Sequence, residues 1–140
     1  MIQQVFSPAP GVHKGETPIV AVDCEMVQVD GSIDGLASVS IVNYNGVVLL
    51  DKFVIPEGKR ITDYRTWVSG VTADKLKVEN GAIFFKEAKR IAHALLKDKI
   101  IVGHSISHDF AALEFTDSLC PKEKLRDLSH FKKYQNQISG

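Results

Sequence analysis

Little in this chain is in excess. Its 17 Lys and Arg are matched by 17 Asp and Glu, so it does not hold nucleic acid by net positive charge alone, although a local basic groove stays open. It has only two cysteines, Cys24 and Cys120. They form neither a CxxC metal motif nor a disulfide framework, and a reducing intracellular compartment is the natural reading. No run of about 18 apolar residues occurs, and the segment Met1 to Pro18, broken by Pro8, Pro10 and Gly11, lacks the apolar centre of a secretion signal. The expectation is a protein that is neither secreted nor membrane-spanning. There is no internal repeat and no low-complexity tract. What is present is 44% apolar residues over 140 positions, enough for the core of one domain and too much for disorder.

The even balance of charge hides a gradient. Residues 1–50 carry one base, Lys14, against Glu16, Asp23, Glu25, Asp30 and Asp34, a net of −4, and residues 51–140 carry +4. An acidic end facing a basic remainder suits metal ions beside a polyanion; a mixed surface produces the same tally by chance.

Ile19 to Val29 reads as a buried strand, because Ile-Val-Ala-Val is continuous and β-branched. Gly35 to Tyr44 alternates, Asn45-Gly46 is a two-residue hairpin signal, and Val47 to Ile55 resumes as strand, giving an antiparallel meander of three strands. A loop is expected from Pro56 to Gly70, and a short helix opening at Thr72, where Thr-Ala-Asp-Lys has a cap residue and an early acid. From Ala82 to Lys97, Phe84, Phe85, Ala88, Ile91, Ala92, Leu95 and Leu96 recur at helical spacing. Lys99 to Gly103 reads as a short buried strand, and Ser107 is expected to cap a helix from His108 through Phe115. Leu125 to Ser129 is a candidate short strand, and Phe131 to Gly140 is polar, basic and without periodicity. This order describes an α/β domain on a mixed sheet, with the RNase H-like arrangement as one option.

Asp23 and Glu25 stand at i and i+2 of the first strand, so both side chains share a face and Cys24 points to the other. Two carboxylates close together on a largely buried strand repel unless a cation lies between them; the alternative is a solvated edge. Asp109 follows the strand ending at Gly103-His104, the kind of place where α/β proteins put ligands. Taken alone it is as easily a residue that complements a helix dipole. Together the three make an oxygen-only set that favours Mg²⁺ or Mn²⁺ over zinc.

These residues also resemble a known family. Ala21-Val22-Asp23-Cys24-Glu25-Met26-Val27 looks like the first motif of the DEDD exonucleases, in the DEDDh, DnaQ-like branch with the interferon-stimulated and ribosomal-RNA-processing exonucleases. Leu36 to Asn43, Leu50 to Val54 and Ile61 to Val71 match in order, the second motif is Val102 to Leu113, and Arg126-Asp127-Leu128-Ser129 resembles the segment that follows.

The resemblance implies an RNase H-like fold with a central mixed sheet flanked by helices. The chain divides into an N-terminal extension, 1–18, and an exonuclease domain, 19–140, expected to be incomplete at its C-terminal end. The implied activity is 3′–5′ hydrolysis of RNA or single-stranded DNA to nucleoside monophosphates with two Mg²⁺ or Mn²⁺ ions, in the nucleus or nucleolus. Asp23, Glu25 and Asp109 become catalytic metal ligands. Glu25 and the Met26 backbone come to lie near the terminal nucleotide, and Arg65 contacts phosphate.

The family's third motif, a His followed five residues later by an Asp, has no counterpart after Asp109. His130 is followed by Gln135 at that spacing, while His93/Asp98 and His104/Asp109 fall in the wrong elements. His104 and His108 read as structural. Hydrolysis by this chain is therefore expected to be weak or absent, with a nucleic-acid- or nucleotide-binding module as the competing class. A third possibility is an α/β scaffold with a solvated acidic pair. A missing C-terminal helix would leave an apolar sheet face uncovered, inviting a partner chain or self-association. Trp67 and Phe110 suit either base stacking or the core.

Overall fold

In a computed structural model of the chain, the described residues are 12–116 and 118–130. The expectations for Met1 to Gly11 and for Phe131 to Gly140, including Gln135, lie outside them. Among the described residues, seven strands form one mixed sheet. Three are the meander: β1 (Ile19–Val29), β2 (Ser32–Asn43) and β3 (Val48–Ile55). The others are β4 (Ile61–Asp63), β5 (Ile83–Phe84), β6 (Ile100–Gly103) and β7 (Leu125–Asp127). The order across the sheet is β5-β3-β2-β1-β6-β7, with β4 also pairing with β1. β2 runs antiparallel to both β1 and β3, whereas β6 is parallel to β1, and β7 to β6. This is the α/β arrangement with a central mixed sheet that the sequence implied.

The helices are α1 (Thr66–Ser69), α2 (Phe85–Leu96) and α3 (Ile106–Leu113). On one face, Ala88, Ala92 and Leu96 of α2 and Ile106, Phe110 and Leu113 of α3 pack on Val20, Val22, Cys24, Val39 and Ile41. Phe110, only 7% exposed, belongs to this core. A second cluster joins Val27, Val29 and Ala37 to Val71 and Leu76, with Phe53, Ile55, Ile61 and Tyr64 around it. Strand parity puts Val27 and Val29 on the face that carries Asp23 and Glu25. The segment 64–76 therefore covers the far half of that face and stops short of Asp23. Among the described residues no helix is long and apolar enough to cross a membrane.

Four expectations need correction. No helix opens at Thr72: residues 73–76 form a turn that drops Leu76 into the second cluster. The stretch read as a loop holds β4 and α1 instead. Phe84 is not on the buried face of α2; it pairs with Ile55 in β5 and is 52% exposed. Finally, α3 begins at Ile106 with Ser105 at its N-cap position, so Ser107 does not cap it.

Candidate active site

The open part of β1 defines the site. On the edge away from β2, β6 pairs with Ile19, Val20 and Ala21, while β4 pairs with Gln28 and Val29. Residues 22–27 lie between, facing a gap walled by the start of α3 on one side and by β4 and α1 on the other. The Cys24 N–H on this edge is near enough to the Asp109 carboxylate to favour its charge, and Gln28 C=O accepts the Thr62 hydroxyl at 3.4 Å. The backbone groups of alternate residues face the same edge, so those of Met26 face the gap too.

Asp23 and Glu25 share the sheet face expected for them. Asp23 is opposite Ser40 and Glu25 opposite Ser38, and Cys24 is buried on the other face. Ser40 is in turn opposite Asp51 and donates its hydroxyl to Asp51 Oδ1 at 2.8 Å, so a row of acidic and hydroxyl groups crosses β1, β2 and β3. Neither Ser40 nor Asp51 was singled out by the sequence pattern.

Asp109 is brought to the open edge of β1 by close packing. It is 4% exposed, in the first turn of α3. Gly103 makes the approach possible, since a Cβ there would meet Ile106 Cγ1 at 2.9 Å and Val22 O at 3.1 Å. Burial, then repulsion from Asp23, Glu25 and Asp127, pushes the Asp109 carboxyl up to about 7, against the pull of the Cys24 N–H. Glu25 is raised by burial and by Asp23. The Cys24 thiol is raised well above its ordinary value by burial, then by Asp109, Asp23 and Glu25. The three carboxylates are thus one electrostatic cluster.

The chemistry of this donor set fits a hard divalent cation: every donor is a carboxylate oxygen, and positive charge would offset the repulsion seen at Asp109. As the side chains stand, no group of three His, Cys, Asp or Glu among the described residues is arranged to hold an ion.

The two walls are built alike. Arg65 and Ser105 are non-glycine residues in the left-handed region, with φ of 49° and 53°, each at the N-cap position of its helix. Each gives its backbone N–H to an aspartate: Arg65 to Asp63 Oδ1 at 2.8 Å, Ser105 to Asp127 Oδ1 at 2.9 Å. Such conformations persist where surrounding bonds over-determine them, and they gather at functional sites. Arg65 is half-buried, and among the described residues no carboxylate pairs with its guanidinium. Trp67, two residues on, is 87% exposed.

The histidines do not supply a base. His93 Nε2 is bonded to Leu113 O at 2.8 Å and its ring meets Phe115 edge-on. His104 and His108 are exposed at the end of β6 and on α3. His130 Nε2 is 4.0 Å from Asp127 Oδ2.

Comparison with known proteins finds relatives in sequence and in fold. RNA exonuclease 4 of Debaryomyces hansenii is 45% identical over 123 residues, which are 86% of this chain and 43% of that protein. RNA exonuclease 4 of Candida glabrata is 42% identical over 122 residues, 86% of this chain and 44% of the relative. The apoptosis-enhancing nuclease of Homo sapiens is 39% identical over 134 residues, 93% of this chain and 39% of the relative. Over most of its own length the chain is thus similar to proteins named as exonucleases or nucleases. It spans less than half the length of these relatives. No family model matches it. Among solved structures, the apo Pan2 pseudoubiquitin hydrolase–RNA exonuclease module of Saccharomyces cerevisiae, in complex with AAUUAA RNA, superposes with a TM-score of 0.63. At 23% identity, over 83% of this chain and 22% of that one, it shows a shared fold.

Proposed function

We propose that the chain is the exonuclease domain of a metal-dependent 3′–5′ exonuclease that acts on RNA or single-stranded DNA and releases nucleoside monophosphates. The observation that carries this reading is the electrostatic coupling of Asp109 to Asp23 and Glu25 beside an unpaired stretch of strand. The names of the relatives point the same way, to RNA as substrate.

In this reading Asp23, Glu25 and Asp109 hold Mg²⁺ or Mn²⁺. The ions these residues would hold would supply Lewis-acid activation of a water and neutralisation of charge on the phosphate. Met26, whose backbone faces the gap, and Glu25 hold the terminal nucleotide by hydrogen bonds. Arg65 suits a phosphate because its guanidinium is planar, permanently charged and free of a carboxylate partner. No His followed five residues later by an Asp stands after Asp109. These 140 residues thus do not themselves contain the proton acceptor that the resemblance implies for the attacking water. That same lack favours, as a second reading, a module of the same fold that binds nucleotide without turnover.

The test uses 5′-labelled single-stranded RNA and, separately, a nucleoside monophosphate, each with and without Mn²⁺. The expected result is Mn²⁺-dependent monophosphate binding, lost in Asp23→Ala, with at most a slow ladder of products shortened from the 3′ end. Binding with no ladder at any enzyme concentration selects the second reading. Absence of both overturns the proposal.

A further inference from the structure

The start of α3 is held by a residue 21 and 22 positions beyond the two amides it binds. Ser105 occupies the N-cap position with φ 53° and ψ 51°, and its side chain does not cap the helix. The acceptor is Asp127, at the end of β7 and level with Gly103 of β6. Its Oδ1 accepts the Ser105 N–H at 2.9 Å, and its Oδ2 accepts the Ile106 N–H at 3.0 Å. The Ser129 N–H at 3.0 Å and hydroxyl at 2.6 Å also donate to Oδ1. These bonds hold the carboxyl down at about 2 although burial opposes its charge.

Asp109 lies one helical turn beyond the anchored amides, roughly 4.5 Å along the axis from Ile106. The helix has only eight residues, so few bonds further along could correct a misplaced first turn. That turn is pressed against Gly103 of β6 and tied to β7 at Asp127. Local geometry alone would not hold it there, because Ser105 is a non-glycine residue in the left-handed region.

We infer that Asp127 is a positioning residue: its carboxylate fixes the first turn of α3 and thereby aims Asp109 at the Cys24 N–H and toward Asp23 and Glu25. The inference rests on the nuclease reading only in naming Asp109 a ligand. Asp127 acts through backbone amides, and its charge suits them because helix N-terminal N–H groups carry partial positive charge. The competing role is purely local, a side-chain turn with Ser129 that closes β7.

Amide hydrogen exchange on the 140-residue chain separates these roles. Asp127→Asn keeps the size but presents an NH₂ group where one of two amides needs an acceptor. The expected result is about tenfold faster exchange at Ser105, Ile106 and Cys24, with Ile41 and Leu50 unchanged. Ser129→Ala, which removes the hydroxyl bond to Asp127, leaves Cys24 exchange as in the parent. Mn²⁺ affinity, read by EPR, falls about tenfold in Asp127→Asn. If Ser105 and Ile106 speed up while Cys24 does not, or if all amides speed up together, the inference is overturned. Asp127→Ala is the stronger perturbation; should it fail to fold, Asp127→Asn decides. A parent chain that binds no Mn²⁺ sinks the metal-dependent reading and leaves the Cys24 exchange result standing.

Discussion

The Asp109 carboxylate is drawn toward the backbone N–H of Cys24 at the level where β6 has ended and β1 has lost its strand neighbour. One acid thereby does what a further residue of β6 would have done for the β1 edge, and it does so within the field of Asp23 and Glu25. That N–H draws Asp109 in, while burial and its neighbours resist its ionisation.

That conflict predicts opposite effects of one substitution with and without metal. Asp109→Asn keeps an acceptor for Cys24 and removes the charge. Without divalent ions at pH 8, urea unfolding should show it more stable than the parent by about 1–3 kcal/mol. With saturating Mn²⁺ the order should reverse, because only the parent gains from binding. A parent more stable than the variant in both conditions would contradict the repulsion argument.

Two carboxylates give the metal-free chain a stability optimum on the acid side. The native Asp109 value, about 7, lies above the ordinary 3.8, so the folded state holds its proton more tightly and stability falls as pH rises between them. The loss approaches about 4 kcal/mol at roughly 1.4 kcal/mol per pH unit. Asp127 is the reverse: its native value, about 2, lies below 3.8, so its contribution is present above 3.8 and is lost as pH falls toward 2. That contribution is about 2 kcal/mol for a side chain only 12% exposed. Denaturation midpoints across pH 2–8 should peak near pH 4 in the parent. Asp109→Asn should flatten the descending limb, and a parent profile level from pH 4 to 7 would count against this account.

The strand that carries the chemistry was legible because strand parity is local. Asp23 and Glu25 share a face, and Cys24 is buried behind them, as a period of two requires. What the sequence hid depends on partners far along the chain. β4 and α1 are three and four residues long, too short to show any period, and they stand only through bonds such as Ser69 Oγ to Tyr64 O and Thr66 Oγ1 to Val71 O. The start of α2 is bonded to Glu57 across 29 residues, and that of α3 to Asp127, so apolar spacing began α2 too early and a local cap signal began α3 too late. Asp127 did leave a trace, an Asp two residues before a Ser, which is a turn pattern. Its reach to α3 could not be read from that.

Gly103 is expected to be intolerant of any side chain. Gly103→Ala puts a methyl 2.9 Å from Ile106 Cγ1 and 3.1 Å from Val22 O, and the second of these is backbone in the sheet. The relief is for α3 to lift from β1, costing about 1–3 kcal/mol by urea unfolding. Since Asp109 rides on that helix, the stabilisation gained from Mn²⁺ should shrink in the same variant. Full Mn²⁺ stabilisation in Gly103→Ala would show that Asp109 does not depend on this contact.

On the opposite wall, Arg65 and Trp67 separate binding from folding. Trp67 is 87% exposed, so Trp67→Ala should leave the unfolding midpoint within about 0.5 kcal/mol of the parent. If the indole stacks on a base of bound single-stranded RNA, the same change lowers affinity by about 1–3 kcal/mol with no change in salt dependence. Arg65→Ala removes a charge instead, so binding should weaken uniformly across sequences and the slope of log affinity against log salt should fall by about 1. Fluorescence titration of short RNAs at several salt concentrations measures both effects. Equal salt slopes in the parent and Arg65→Ala would take Arg65 out of the phosphate path, and an unchanged affinity in Trp67→Ala would leave the exposed indole without a role in this site.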